Sequence, residues 1–151
     1  MNCSVSEIRP CTVSEIEERP DLLDEYALES SIPEIGIPDA QFATYHALEA
    51  AQVLHPIASF EDGVMTGFIV PLIVPLPHYG LVTATVESFF VSQSYRDTGV
   101  GMRLLSNAEK ISRERGAKAL LLSAPAGGRL AQVLSRRRSY RRSSEVFVRA
   151  L

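Results

Sequence analysis

Cysteine and histidine are scarce in this sequence, and their scarcity excludes two kinds of site. Its two cysteines, Cys3 and Cys11, lie eight residues apart in a segment with the pattern of a strand, which would separate their Cα atoms by roughly 26 Å. A disulfide requires Cα atoms within about 7 Å of each other. Together with His46, His55 and His78 they show no metal-ligand spacing. The sequence therefore predicts neither a disulfide nor a metal site.

Long apolar runs are also absent. No stretch approaches the ~20 apolar residues of a bilayer span, and the first ten residues lack the apolar segment of a secretion signal. We therefore expect a cytosolic protein without a membrane partner. Repeats, low-complexity tracts and linkers are missing too, so 151 residues, 46% of them hydrophobic and 22% charged, predict a single domain over 1–151.

Basic residues are scarce in the first part of the chain only. Residues 1–62 contain 13 acidic residues against 2 arginines, a charge of −11, whereas residues 63–151 contain 13 basic and 5 acidic residues, a charge of +8. The net charge of −3 hides this asymmetry. We expect the basic part to suit phosphate groups and the acidic part to suit a cationic ligand or only water.

The first third of the chain predicts a strand followed by helices. We expect a short strand over residues 3–10, and Thr12 with Glu15 forms a capping box that starts a helix. Pro20 interrupts this helix before it resumes, and Asp39 is expected to cap another one. The positions of that next helix that recur at helical spacing are Phe42, Tyr45, Leu48 and Gln52.

The middle of the chain predicts a three-stranded meander. An Asp-Gly pair between apolar runs predicts a hairpin of residues 55–60 and 64–74, because this pair favours positive φ angles. Residues 81–91 add a third strand, since they are rich in β-branched and aromatic residues. Prolines limit how far the second of these strands can pair in the centre of a sheet.

The last third predicts helices alternating with strands. Apolar residues form one helical stripe from Val100 to Ile111, and Gly116 ends this helix. We expect a buried strand over residues 117–123, a helix over about 129–137 and a last strand over 145–151. The complete order predicts an α/β (α+β) domain with a mixed sheet.

A short basic loop that contains glycines joins the third meander strand to the following helix. The first-turn amides of a helix have no internal partners and the helix dipole adds partial positive charge, so a pyrophosphate can bind there. Gly99 and Gly101 let a phosphate approach the backbone closely, and Arg96 and Arg103 add charge. A two-glycine loop alone is a weak signal, because glycine also serves in turns.

The loop and the strand before it resemble the coenzyme A motif of the GNAT superfamily of N-acetyltransferases. In that motif a strand with an apolar end precedes a glutamine or arginine, then a glycine three residues on and a glycine or alanine two residues later. Val91, Arg96, Gly99 and Gly101 occupy these positions. The resemblance implies a GNAT-like, mostly antiparallel central sheet with helices on both faces, splayed at the strands that bind the coenzyme.

The resemblance also assigns residues to acetyl-coenzyme A (acetyl-CoA). The pantetheine arm would pair with the strand edge at Phe90, Val91 and Ser92, and the Val91 amide would polarise the thioester carbonyl. Asp97 departs from the family pattern, since it places an anion near the phosphates. The pyrophosphate would bind the consecutive amides of Arg96, Asp97, Thr98, Gly99, Val100, Gly101 and Met102, beside Arg103.

Candidates for proton transfer are fewer. An alkylammonium must lose a proton before it can attack, and we expect Glu87 to be the base because it lies four residues before Val91. A solvent-facing strand glutamate is the alternative. Ser135 aligns with a tyrosine that the family uses as acid, although a serine is a weak one. His78 and Tyr79 lie in a loop where the family often builds substrate contacts.

The resemblance, with these residues, implies transfer of an acetyl (acyl) group from acetyl-CoA to a primary amine by direct attack in a ternary complex. The acidic first helices favour a cationic acceptor, such as a polyamine, an aminoglycoside, a lysine side chain or a protein N-terminus. A monomer or homodimer is expected.

Two other classes of function stay open. One is a GNAT-fold interaction protein that has lost turnover. The other is a nucleic-acid-associated module that uses the arginine cluster of residues 136–142, although the net charge of −3 predicts only modest nonspecific affinity for nucleic acid.

Overall fold

A computed structural model describes residues 5–151 of the protein. Residues 1–4, including Cys3 and the start of the strand expected over 3–10, lie outside the described part. The predicted order of strand, helices, meander, helix, strand and helix is confirmed. The elements are β1 Glu7–Pro10, α1 Val13–Glu17, α2 Pro20–Glu29, α3 Phe42–Ala50, β2 Ile57–Glu61, β3 Val64–Leu76, β4 Leu81–Val91, α4 Val100–Glu114, β5 Leu120–Leu121 and α5 Arg129–Ser135.

The strands form a single mixed sheet in the order β1-β2-β3-β4-β5. All neighbours are antiparallel except β4 and β5, which are parallel. The predicted hairpin turns at Asp62 and Gly63, whose φ angles of 50° and 79° are both positive, as a tight two-residue turn requires. This mostly antiparallel mixed sheet confirms the predicted fold class.

Helices cover both faces of the sheet. On one face, α1 to α3 pack in a cluster that includes Val13, Leu22 and Phe68. On the other face, α4 packs Leu104 and its neighbours against side chains that include Ile69. Phe68 and Ile69 are consecutive on β3 and point to opposite faces, as the alternation of a strand dictates.

The starts of the first helices follow local chemistry. Thr12 Oγ1 accepts a hydrogen bond from the Glu15 amide at 3.2 Å, and the Glu15 carboxylate accepts one from the Thr12 amide at 2.8 Å, which is the predicted capping box. The prediction for Asp39 is wrong. α3 begins after Gln41 without any side-chain cap, and the Gln41 amide group donates to Asp39 instead.

Two predicted strands are corrected. The segment 117–123 forms only the two-residue β5, which is half-buried or exposed, and residues 145–151 form no strand. A strand needs neighbouring N–H and C=O groups along its length, and β5 pairs with β4 over two residues only. Residues 141–151 are all exposed. Among the described residues, no helix has the length and apolarity needed to cross a membrane.

Candidate active site

The central feature of the site is a β-bulge in β4. Val70 of β3 pairs with Ser88 and the next residue, Pro71, pairs with Val86, which leaves Glu87 as an extra residue without a partner. A bulge locally disrupts the ladder and re-aims side chains. The Glu87 side chain is exposed and belongs to neither core cluster.

Beyond this bulge, β4 and β5 diverge. They pair only at Ala84 with Leu120 and at Thr85 with Leu121, so the stretch of β4 from 86 to 91 has no strand on that side. The splayed sheet that the resemblance implied is therefore present.

The hydrogen-bonding pattern shows which amides face the open edge. Ser92 N–H donates to Thr66 O at 2.9 Å, and the register is regular from there back to Ser88. In an antiparallel pair, alternate residues point both polar groups away from the partner strand. The amides of Phe89 and Val91 therefore face the open edge, whereas those of Phe90 and Ser92 are directed at β3.

The loop after β4 ends at the start of α4. Gly99 precedes the helix with a φ of 81°, which a glycine adopts without strain. The first bond of this helical turn runs from Arg103 N–H to Gly99 O at 3.1 Å. The amides of residues 100–102 therefore lie in the first turn, where helical amides have no partner within the helix. Gly101 lies beside Val91, and a Cβ built on it would be 3.8 Å from the Val91 side chain.

Arg96 differs from its predicted role. Its amide donates to Gln93 O at 3.3 Å, so this amide is used within the loop. Its guanidinium donates to Val91 O at 2.8 Å and to the Glu29 carboxylate at 2.6 Å. The arginine thus ties the end of β4 to α2.

Glu25 makes a similar connection one turn earlier on α2. Its carboxylate accepts from the Ser92 hydroxyl at 2.9 Å and from the Gln93 amide at 2.8 Å. Ser92 is therefore held by α2, whereas the sequence predicted contact with pantetheine. Thr98 is also engaged locally, because its hydroxyl donates to Tyr95 O at 2.6 Å.

A cavity of about 500 Å³, called here the β4–α5 cavity, opens along the unpaired edge of β4. β4 residues 86–91 and the start of α4 form one wall, and α5 forms the opposite wall. Gly99, Gly101 and Met102 contribute to the lining, as do Arg96, Asp97 and Arg129. Strand edge, cavity and helix start thus lie next to each other.

The side chains of Asp97 and Arg129 form an ion pair at this cavity, joining the loop to α5. Both side chains are exposed. The hydrogen bond and charge of Arg129 lower the pKa of Asp97. Asp97, the anion expected near the phosphates, is therefore paired with the cation Arg129. The sequence analysis did not predict a role for Arg129.

A second cavity of about 670 Å³, the α2–α3 cavity, lies between these two helices and the sheet. Tyr26, Glu87 and Ser88 line both cavities. Tyr26 packs edge-on against Phe68 and Phe90, with ring centroids 5.7 and 5.6 Å apart. The two cavities therefore meet at the bulge.

Tyr45 of α3 holds Glu87 at this meeting point. Its hydroxyl donates to Glu87 Oε1 at 2.6 Å. Burial, and then the bond to Glu87, raises the pKa of Tyr45, so the hydroxyl keeps its proton at neutral pH. Burial and the charge of Glu87 likewise raise the pKa of Tyr26. One carboxylate oxygen is thus engaged by a tyrosine that the sequence did not connect with it.

Three other predicted site residues lie elsewhere. His78 and Tyr79 pack edge to face at 4.7 Å in the β3–β4 turn and line neither cavity. Ser135 donates its hydroxyl to Ala131 O at 2.7 Å within α5 and also lines neither cavity. The serine hydroxyl is used by its own helix, as is common for serine inside helices.

Sequence comparison agrees with this architecture. The model of the acetyltransferase (GNAT) family matches residues 19–131. The chain belongs to the GNAT family. No curated protein matches it at a significant level of sequence similarity.

Solved structures of other GNAT proteins share the fold across nearly the whole chain. A ribosomal-protein-alanine N-acetyltransferase from Brucella melitensis biovar Abortus 2308 matches with a TM-score of 0.75 at 20% identity, over 96% of this chain and 97% of that chain. An aminoglycoside acetyltransferase from an uncultured soil metagenomic sample, in complex with sisomicin, has a TM-score of 0.75 at 13% identity, with 97% and 96% covered. An aminoglycoside N-acetyltransferase in complex with CoA matches with a TM-score of 0.71 at 18% identity, over 96% of this chain and 98% of that chain.

The β4–α5 cavity of this GNAT protein fits an acyl-CoA on two grounds. The open edge of β4 presents unpaired amides to an extended pantetheine-like chain, and the start of α4 presents first-turn amides to phosphates. Phe89, missed at the sequence level, shares this edge with Val91. The amides of alternate strand residues point to the same edge, so Phe89 follows from Val91 once Ser92 N–H is known to donate to Thr66 O.

Proposed function

We propose that this GNAT protein is an acetyl-CoA-dependent N-acetyltransferase that acts on a primary amine by direct attack in a ternary complex. One observation carries the proposal: Glu87, which has no cross-strand partner, lies where the β4–α5 cavity meets the α2–α3 cavity. A carboxylate between two cavities can accept a proton from a nucleophile in one while the electrophile occupies the other.

The β4–α5 cavity would hold acetyl-CoA, which supplies the thioester acyl group. The amides of Val100, Gly101 and Met102 would bind the pyrophosphate, with Arg129 near by. The amides of Phe89 and Val91 face the open edge, so Val91 N–H would donate to the carbonyl oxygen. A fixed donor at that oxygen stabilises the negative charge that develops there.

Glu87 would act as the base. Tyr45 binds Oε1, which leaves Oε2 to accept a proton from the ammonium group of the acceptor. The freed lone pair attacks the carbonyl carbon and forms the C–N bond, the C–S bond breaks, and the second proton of the nitrogen passes through water to the leaving thiolate. Ser135 is not proposed as the acid, because its hydroxyl is bonded within α5.

Calorimetric titration with acetyl-CoA, combined with an assay of CoA release in the presence of amines, tests both halves of the proposal. Wild-type protein should bind acetyl-CoA. Gly101→Glu should abolish binding, because it places a side chain and a negative charge at the helix start. Glu87→Gln should bind with unchanged Kd but lose turnover by about 100-fold or more.

The outcomes separate coenzyme binding from catalysis. Absence of wild-type binding would refute the coenzyme site. Binding without acetylation of any amine or peptide would instead indicate a coenzyme-binding interaction protein. Full activity of Glu87→Gln would remove the glutamate from the mechanism.

A further inference from the structure

The α2–α3 cavity also indicates which amines the enzyme accepts, an inference that rests on the proposed function. Its buried lining residues are apolar and include Val13, Ile16, Leu54 and Phe68. Its charged lining residues, Asp24, Asp39 and Glu87, are all exposed. The interior is therefore apolar, and the carboxylates lie toward the surface and at the meeting point with the β4–α5 cavity.

The acidic surplus of residues 1–62 does not collect in this cavity. Several of those carboxylates are bound within the fold. The bound pairs are Glu15 with Arg9, Glu17 with His46, Asp21 with Arg19, Glu29 with Arg96, and Glu49 with the Val13 amide. These bonds engage five of the thirteen carboxylates of residues 1–62, and of the other eight only Asp24 and Asp39 line the cavity.

The volume supports a small molecule as acceptor. At about 670 Å³ the cavity lies within the range of pockets that enclose drug-sized ligands. Apolar side chains of α1 and α3 such as Ile16 and Leu48 line this space, so the apolar body of a small amine fits it.

We propose that the acceptor is a small primary monoamine with an apolar body, such as an alkylamine or an arylalkylamine. Its ammonium group lies at Glu87 and its hydrocarbon fills the α2–α3 cavity. A second ammonium or a set of hydroxyls placed in the interior would lie against apolar walls, away from Asp24 and Asp39 at the surface, which is unfavourable. Apolar burial and one charge–charge contact thus determine the specificity.

A matched pair of amines tests this assignment. n-Hexylamine and 1,6-diaminohexane have the same length and differ in a second ammonium at the far end. With saturating acetyl-CoA, kcat/KM for n-hexylamine should exceed that for 1,6-diaminohexane by at least tenfold, and 4-phenylbutylamine should also be a good substrate. Kanamycin, spermidine and a peptide that begins with alanine complete the panel as the competing classes.

Two leucines of α2 provide matched variants. Leu23 lines the cavity and packs against the first core cluster, whereas Leu28 does not line it and is 80% exposed. Leu23→Asp should favour 1,6-diaminohexane over n-hexylamine, without changing the Kd of acetyl-CoA. Leu28→Asp should leave kcat/KM for both amines at the wild-type values.

Ala27→Leu is a second test of the cavity in case Leu23→Asp does not fold. It fills the cavity without adding charge, so kcat/KM for 4-phenylbutylamine should fall several-fold while that for n-propylamine changes little.

Better turnover of kanamycin, spermidine or the alanine peptide than of n-hexylamine would overturn this inference and leave the proposed function intact. Equal turnover of both six-carbon amines would overturn it in the same way. If acetyl-CoA binds and no amine of any class is acetylated, the proposed function itself fails, and this inference fails with it.

Discussion

The residue that defines the site is held by another residue far away in the chain. Glu87 and Tyr45 are 42 residues apart, and the 2.6 Å bond between them spans from β4 to α3. A hydrogen bond to a charged group contributes about 1.5–3 kcal/mol when buried. Glu87 is exposed, so the lower end of this range applies.

Tyr45→Phe should therefore lower kcat for an amine about tenfold, because the carboxylate loses the donor that fixes its orientation. The Kd of acetyl-CoA should not change, since Tyr45 lines only the α2–α3 cavity. Steady-state kinetics and calorimetry measure the two quantities. Tyr79→Phe is the control, because Tyr79 is 69% exposed and lines neither cavity. An unchanged kcat for Tyr45→Phe would show that Glu87 does not need this partner.

At the residue scale, the sequence predicted local structure where its signal was local. The glycine loop was found because a strand, two glycines and a helix start lie within a few consecutive residues. Tyr45 was read only as part of a helical stripe, since no local pattern reports a bond to β4. The alignment of Ser135 considered position alone, whereas its hydroxyl bonds its own helix.

At the scale of elements, the loop before α4 and the start of α5 are linked across the β4–α5 cavity by Asp97 and Arg129. A bound pyrophosphate would attract Arg129 and repel Asp97. The two side chains therefore oppose each other in coenzyme binding, and the ion pair holds the arginine back.

Asp97→Asn should tighten acetyl-CoA binding several-fold, and Arg129→Ala should weaken it. Asn keeps the left-handed conformation that residue 97 adopts, with a φ of 67°. Asp62→Asn is a matched control, because Asp62 also has a positive φ of 50° but lies in the β2–β3 turn. Calorimetry measures the Kd of acetyl-CoA for each variant. Weaker binding by Asp97→Asn would contradict the inference that Asp97 opposes the coenzyme while Arg129 attracts it.

Element order could be predicted from periodicity and turn residues, but strand pairing could not. β4 was predicted with its correct bounds and α4 within a few residues, since their patterns are strong. The bulge at Glu87 escaped because it depends on the register between β3 and β4. Residues 145–151 have the composition of a strand but form none, because no neighbouring strand within the described residues pairs with them.

On the scale of the whole molecule, the two signs of charge have different roles. Acidic side chains of the first part hold helices and loops together, as Glu25 and Glu29 do at the end of β4. The arginines of the 136–142 cluster are all exposed, and the second part carries the surplus of +8 counted from the sequence.

A coenzyme with several negative charges should therefore bind in a salt-dependent manner. Raising NaCl from about 50 to about 500 mM should weaken acetyl-CoA binding several-fold, because salt screens exposed charges. The affinity for dephospho-CoA, which lacks the 3′-phosphate, should fall less than the affinity for CoA over the same range of salt concentration. Equal losses for both ligands would show that the arginines outside the loop do not contribute.

The extra residue of β4 also governs how readily this chain can change its chemistry. Glu87 has no cross-strand partner and lies in neither core cluster, so replacing it should lower the free energy of unfolding mainly by the bond to Tyr45, about 1.5 kcal/mol. Turnover can then be lost by one codon change while the fold and the β4–α5 cavity persist. An acyl-CoA-binding protein without transferase activity would lie a single substitution away.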